Sequence, residues 1–174
     1  PLPAYTADGA SITPIAGRVV VEPGTAPDAA ALELAPTGSE FGDVIRLSAA
    51  ALPATWSGGD DGALAVDLLW EAVGTPATDY TAFVHLRGAG GEQVAGFDQA
   101  PAGERFPTSA WRAGDRIHSR FELALPAALE AGVYDVWVGL YESGSGGTLR
   151  LPVTDAAGLP LGDGQVRIGQ VTVE

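Results

Sequence analysis

Apolar and polar residues alternate over short runs along most of this chain, and glycine and proline interrupt those runs at close intervals. Alternation with a period of two places successive side chains on opposite faces of an extended strand. On that pattern strands are predicted at 18–22, 44–52, 63–73, 80–87, 93–98, 115–125, 132–142, 148–153 and 165–173. Between them lie the turn Pro23-Gly24, an exposed loop over 56–62, the turn Thr75-Pro76, the hairpin Gly88-Ala89-Gly90-Gly91 and a long loop over 99–114. Residues 26–31 read as a linker or a short helical turn, and a helical turn also fits 126–131; no other window sustains a helical apolar period. Short strands with frequent turns indicate an all-β fold, a two-layer β-sandwich. Tyr134 opens the 132–142 strand after a Pro- and Gly-containing corner, where an immunoglobulin-like sandwich carries its tyrosine corner; a jelly roll is the alternative. The clear pattern begins at Phe41, so residues 1–40 are expected to be an N-terminal segment with one or two strands packing on a sandwich of 41–174.

Strand parity then separates core from surface. Tyr134, Val136, Val138 and Leu140 form an apolar face, leaving Asp135, Trp137, Gly139 and Tyr141 on the other. Tyr80, Ala82, Val84 and Leu86 leave Thr81, Phe83 and His85 outside. Val66, Leu68 and Trp70 leave Asp67, Leu69 and Glu71, and Ile117, Ser119, Phe121 and Leu123 leave Arg116, His118, Arg120 and Glu122. If these strands are neighbours, one outer face gathers Trp137, Tyr141, Phe83, His85, His118, Arg120 and Asp67. Aromatic rings stack on the C–H surface of a sugar while such polar groups bond its hydroxyls. Apolar residues on both faces of a strand also signal cover, here of Trp137 and Phe83, by residues 1–40, by a second layer or by a partner domain. Among the loop aromatics Trp56, Phe106 and Trp111, Trp111 is expected to pin the long loop to the sandwich edge.

Composition narrows the chemistry. The 174 residues carry a formal net charge of −13, with no Cys and no Met, and the nine basic residues are all Arg. No Cys means no thiol nucleophile, disulfide or cysteine-held zinc, and no Lys means no Walker lysine or Schiff base. An acidic surface opposes binding to nucleic acid or to an anionic membrane. No apolar run is long enough to span a bilayer. The chain starts Pro1-Leu2-Pro3, without an initiator Met or a signal-peptide pattern, and reads as a piece of a longer protein.

Catalytic constellations are sparse. No Ser lies in a Gly-x-Ser-x-Gly elbow, and the two His, His85 and His118, fall on different strands, so a zinc site needs a carboxylate as third ligand. With 22 acidic residues some pair always stands at glycosidase spacing, which gives that reading little force. No cofactor is called for; calcium is the metal the composition permits, at Asp60-Asp61, Asp98, Asp155 or Asp163, although no Asp-x-Asp-x-Asp-Gly loop is present. Gly88-Ala89-Gly90-Gly91 and Gly162-Asp163-Gly164 lack phosphate-loop spacing and open no helix.

Several strings, taken in order, resemble a known domain: Leu69-Trp70-Glu71-Ala72, Asp79-Tyr80-Thr81-Ala82-Phe83-Val84-His85-Leu86, Phe106-Pro107-Thr108-Ser109-Ala110-Trp111, Gly132-Val133-Tyr134, Val138-Gly139-Leu140-Tyr141, Leu151-Pro152-Val153-Thr154-Asp155 and Ile168-Gly169. Over 41–174 they are similar to the C-terminal β-sandwich of bacterial multi-pass membrane proteins that resemble dolichyl-phosphate-mannose-dependent mannosyltransferases; residues 1–40 match it poorly. The resemblance implies an extracytoplasmic accessory domain, periplasmic or at the cell surface, tethered through its parent. Its partners would be the membrane part of that parent, or a glycan or protein acceptor. Glycosyl transfer would belong to the membrane part, so no catalytic residue carries over. The alternatives are a free-standing carbohydrate-binding module and a small carboxylate-dependent glycoside hydrolase.

Overall fold

The computed structural model describes residues 4–5, 11–12, 29–30, 33–58 and 62–174. The expected strand at 18–22, the turn at Pro23-Gly24 and the pair Asp60-Asp61 lie outside the described residues. Strands β1 (Ala4–Tyr5) and β2 (Ser11–Ile12) pair antiparallel with each other. The remaining strands are β3 (Ala35–Phe41), β4 (Ile45–Ala51), β5 (Thr55–Trp56), β6 (Leu64–Ala72), β7 (Tyr80–Arg87), β8 (Gln93–Gln99), β9 (Arg116–Leu123), β10 (Gly132–Glu142), β11 (Val153–Thr154), β12 (Pro160–Leu161) and β13 (Gln165–Val173).

They form two sheets. The first has the order β12-β11-β3-β4-β6-β9 and the second β5-β13-β10-β7-β8. Successive strands β6 and β7 lie in different sheets, as do β9 and β10, and β10 is flanked by β7 and β13. This Greek-key connectivity makes the fold an immunoglobulin-like β-sandwich. The tyrosine corner is present: the Tyr134 hydroxyl donates to the Glu130 carbonyl oxygen at 2.8 Å, on the corner leading into β10. That corner holds one turn, closed by Leu129 N–H on the Pro126 carbonyl at 3.0 Å, where a helical turn was expected.

The core forms between the inner faces in the parity read from the chain. Tyr134, Val136, Val138 and Leu140 of β10 face Val66, Leu68 and Trp70 of β6 and Ile117 and Phe121 of β9, all buried in one cluster. Each large side chain removed from water there contributes about 1.5–3 kcal/mol. Trp70 meets Phe41 edge to face with centroids 6.0 Å apart, and its indole N–H donates to Ser119 Oγ at 3.1 Å. Trp111 anchors the long loop as expected: fully buried, it donates to the Phe106 carbonyl at 3.2 Å.

Two boundaries differ from the pattern. The division at residue 40 falls inside β3, which pairs with β4 on one side and β11 on the other and is therefore a member of the first sheet. Its Pro36 and Gly38 conceal it, because neither belongs to a strand-like run and the register shifts between Pro36 and Ser39. The strand expected over 148–153 divides instead: Arg150 bridges to Tyr141 at the end of β10, and β11 then crosses to the first sheet.

Candidate functional site

The seven residues expected on one outer face occupy two. Because β6 and β9 belong to the first sheet and β7 and β10 to the second, Asp67, His118 and Arg120 lie on the opposite side of the sandwich from Trp137, Tyr141, Phe83 and His85. Parity assigns a face to each strand but not a sheet, and this is where the expected single site fails.

On the first sheet, Asp67 is opposite Arg120 and Leu69 opposite His118. His118 Nε2 and Asp67 Oδ1 are hydrogen-bonded at 2.8 Å, and Arg120 Nη1 stands 3.4 Å from Asp67 Oδ2. Next to them Arg46 donates from Nε to Glu40 Oε1 at 3.0 Å and reaches Glu71 at 3.5 Å. The hydrogen bond to Glu40, and its charge, hold the Arg46 guanidinium more firmly protonated still. In the middle Leu69 and Ala49 are buried under Leu34, with Ala29 packed alongside. Leu34 and Ala29 thus cover Leu69, whereas the cover expected from residues 1–40 was over Trp137 and Phe83, on the other sheet.

The second sheet carries an aromatic ladder. Across β10 and β7 the register sets Asp135 opposite Arg87, Trp137 opposite His85, Gly139 opposite Phe83 and Tyr141 opposite Thr81. Phe83 stacks on His85 with centroids 4.4 Å apart and on Tyr141 at 6.3 Å. Gly139 makes this possible: a Cβ there would overlap the Phe83 ring and stand 2.6 Å from the Gly164 carbonyl oxygen. Gly96 likewise lies beneath His85, whose Cδ2 is 2.9 Å from where a Cβ would be.

Guanidinium groups cap these rings. Arg150 Cζ is 4.7 Å from the Phe83 centroid and Arg87 Cζ 5.5 Å from the Trp137 centroid, at cation–π distance. Phe83 is consequently only 1% exposed, so its face is not open to a sugar, whereas Trp137 and Tyr141 remain partly exposed. The Tyr141 hydroxyl donates to Asp98 Oδ2 at 3.0 Å, and His85 Nε2 lies 3.7 Å from Asp98 Oδ1. Burial, with Asp98 assisting, raises the Tyr141 pKa. Burial also lowers the His85 pKa; Asp98 opposes this, and Arg150 and Arg87 add to it, so the imidazole is favoured neutral. Asp135 accepts from Arg167 Nη1 and Gln170 Nε2, each at 3.0 Å, and the Arg167 bond foremost holds its carboxyl below the usual range.

The connection from β10 to β13 closes over one edge of this face and leaves two adjoining grooves. One, of about 530 Å³, is lined by Trp137, Arg87, Gln165 and Arg167 with Asp155 and Asp163. The other, of about 560 Å³, is lined by Arg87, Arg150, Thr148, Gln165 and Asp163. Arg87 Nη2 donates to the buried Gln165 Oε1 at 2.9 Å at their shared boundary. Arg87, Arg150 and Gln165 were not among the expected site residues. Arg87 alone carries a sequence signal, as the next outward position on its strand after His85.

The acids considered for calcium are dispersed. Asp98 bonds Tyr141, Asp155 Oδ1 accepts the backbone N–H groups of Ala157 and Leu159 in its own turn, and Asp163 lies at a left-handed backbone position with φ of 60°. Among the described residues no three His, Asp or Glu side chains converge as metal ligands.

No family model matches the chain, and no curated protein matches it significantly. Among solved structures, it is similar to the C-terminal domain of Wzt, at 15% identity and a TM-score of 0.49 over 79% of this chain and 78% of that one. It is also similar to a β-glucosidase from Listeria innocua crystallised with laminaribiose or glucose, at 18% identity and a TM-score of 0.40. That match covers 79% of this chain but only 16% of the enzyme.

Proposed function

We propose that this chain is a non-catalytic, glycan-binding accessory module, and that the groove beside Trp137 is its binding surface. The carrying observation is that groove: a partly exposed indole on one wall, with Gln165, Arg167 and Arg87 presenting donors within about 530 Å³. An aromatic wall with a few fixed polar groups suits a sugar ring, which offers C–H surface and a rim of hydroxyls together. The tethered, extracytoplasmic setting in a glycosyltransferase-like parent is supported by the motif resemblance over 41–174. The hydrolase reading has less support. The groove's two acids are Asp155, whose Oδ1 already holds two backbone N–H groups, and Asp163 on an exposed turn.

The test is a glycan array followed by titration calorimetry on the best neutral and acidic oligosaccharides. The expected result is binding in the micromolar to millimolar range that drops about tenfold or more in Trp137→Ala. Absence of binding, or full retention in Trp137→Ala with the fold intact by circular dichroism, overturns the reading.

A further inference from the structure

We infer that the groove holding Arg87 and Arg150 takes an anionic substituent of the sugar, a carboxylate, phosphate or sulfate; this rests on the glycan reading above and specifies its ligand class. In a chain with 22 acids and nine arginines, cations should find carboxylates easily. Arg46, Arg120 and Arg167 do so. Five other described arginines make no ion pair with described residues. Of these, Arg105, Arg112 and Arg116 are exposed and solvated, whereas Arg87 and Arg150 are partly buried and line the same groove.

Removing a guanidinium from water without a counter-charge is costly, so two of them kept together is a preference to be explained. Their positions are held by neutral groups: Arg87 by the Trp137 ring and Gln165, Arg150 by the Phe83 ring and the Asp163 carbonyl at 3.2 Å. These partners orient the planar groups without an ion pair, although the Asp163 side chain lines the same groove. Arg87 Nε is also buried without a hydrogen-bond partner among the described residues. Both charges also reach His85, where they act together with burial and against Asp98. Oriented guanidiniums bind oxyanions through short, charge-assisted pairs, often bidentate. The groove adjoins the Trp137 groove across Arg87 and Gln165, so a ring against Trp137 could direct an acidic substituent, or an acidic neighbouring residue, toward Arg150.

The experiment uses four ligands that differ only at C6: glucose, glucuronate, glucose 6-phosphate and glucose 6-sulfate, with free phosphate and free sulfate as controls. Each is titrated into the ¹⁵N-labelled chain and followed by NMR, including the arginine Nε–Hε signals. The acidic sugars are expected to bind about tenfold more tightly than glucose at low salt, with the advantage shrinking as salt rises. Arg150→Gln should erase that advantage while leaving glucose binding within about twofold. Equal binding of all four sugars overturns the anion inference and leaves the glycan reading standing. Free anions binding as tightly as the acidic sugars overturns the glycan reading and leaves an anion site. No binding of any probe overturns both.

Discussion

The two outer faces of this sandwich solve the same problem differently. Each has a large apolar side chain at an outward position, Leu69 on the first sheet and Phe83 on the second, and each side chain is almost completely buried. Leu69 is covered by apolar residues, Leu34 and Ala29, and the charges around it are paired, Arg46 with Glu40 and Glu71, Asp67 with His118 and Arg120. Phe83 is covered by a guanidinium and packs against the neighbouring imidazole and the Tyr141 ring. The first face is closed and neutralised, as scaffold is. The second spends no carboxylate on Arg87 or Arg150 and leaves grooves beside them. Exposure alone would not separate the two faces; the partners of their cations do.

The sharpest way to break this comparison is to remove the two covered side chains. A truly exposed outer-face residue costs almost nothing on truncation. Phe83→Ala is expected to cost about 3–5 kcal/mol, and Leu69→Ala about 2–4 kcal/mol, because each leaves a cavity under its cover. Urea unfolding followed by tryptophan fluorescence measures both. A cost below about 0.5 kcal/mol for Phe83→Ala would show its ring open to solvent and return it to the list of stacking platforms.

How far this was legible in the chain follows from the same residues. Period-two alternation reports which side of its own strand a residue occupies, so the buried set Tyr134, Val136, Val138 and Leu140 was readable directly, and the tyrosine corner with it. Alternation is silent on which sheet a strand joins. The chain crosses between sheets from β6 to β7 and from β9 to β10, and a site assembled from all four strands therefore divided into Trp137, Tyr141, Phe83 and His85 on one face and Asp67, His118 and Arg120 on the other. Cover was equally hidden, since the guanidinium over Phe83 comes from Arg150, far along the chain and in a stretch without strong strand character. The missing counter-charge at Arg87 has no sequence signature at all, because the chain offers 22 acids as partners.

The second way to sharpen the comparison is by pH. His85 is mostly buried, and its pKa is lowered from 6.5, first by burial and then by Arg150 and Arg87 against Asp98. The unfolded chain therefore binds more protons than the folded one in the window below 6.5. By linkage His85 contributes stability that is present above that value and is lost as pH falls through the lower folded value. Melting temperature should drop as pH falls below 6.5, with a slope of less than one proton. His85→Gln should flatten that part of the curve. An unchanged slope in His85→Gln would show that the imidazole is solvated rather than buried.

The smallest effect belongs to the Asp67–His118 hydrogen bond of the first sheet. Asp67 and His118 meet at 2.8 Å, but the His118 side chain is 27% exposed and Asp67 20%, so water competes for both. A double-mutant cycle of Asp67→Asn and His118→Gln, measured by urea unfolding near neutral pH, should give a coupling energy of about 0.2–1 kcal/mol. Neither variant should alter glycan binding, because both residues lie across the sandwich from the Trp137 groove. A coupling above about 2 kcal/mol would mark the pair as effectively buried, in the range measured for close, desolvated charges. Loss of glycan binding in either variant would go further. It would place ligand contacts on the first sheet and remove the division of labour between the faces, since neutralised charge there would no longer mean scaffold.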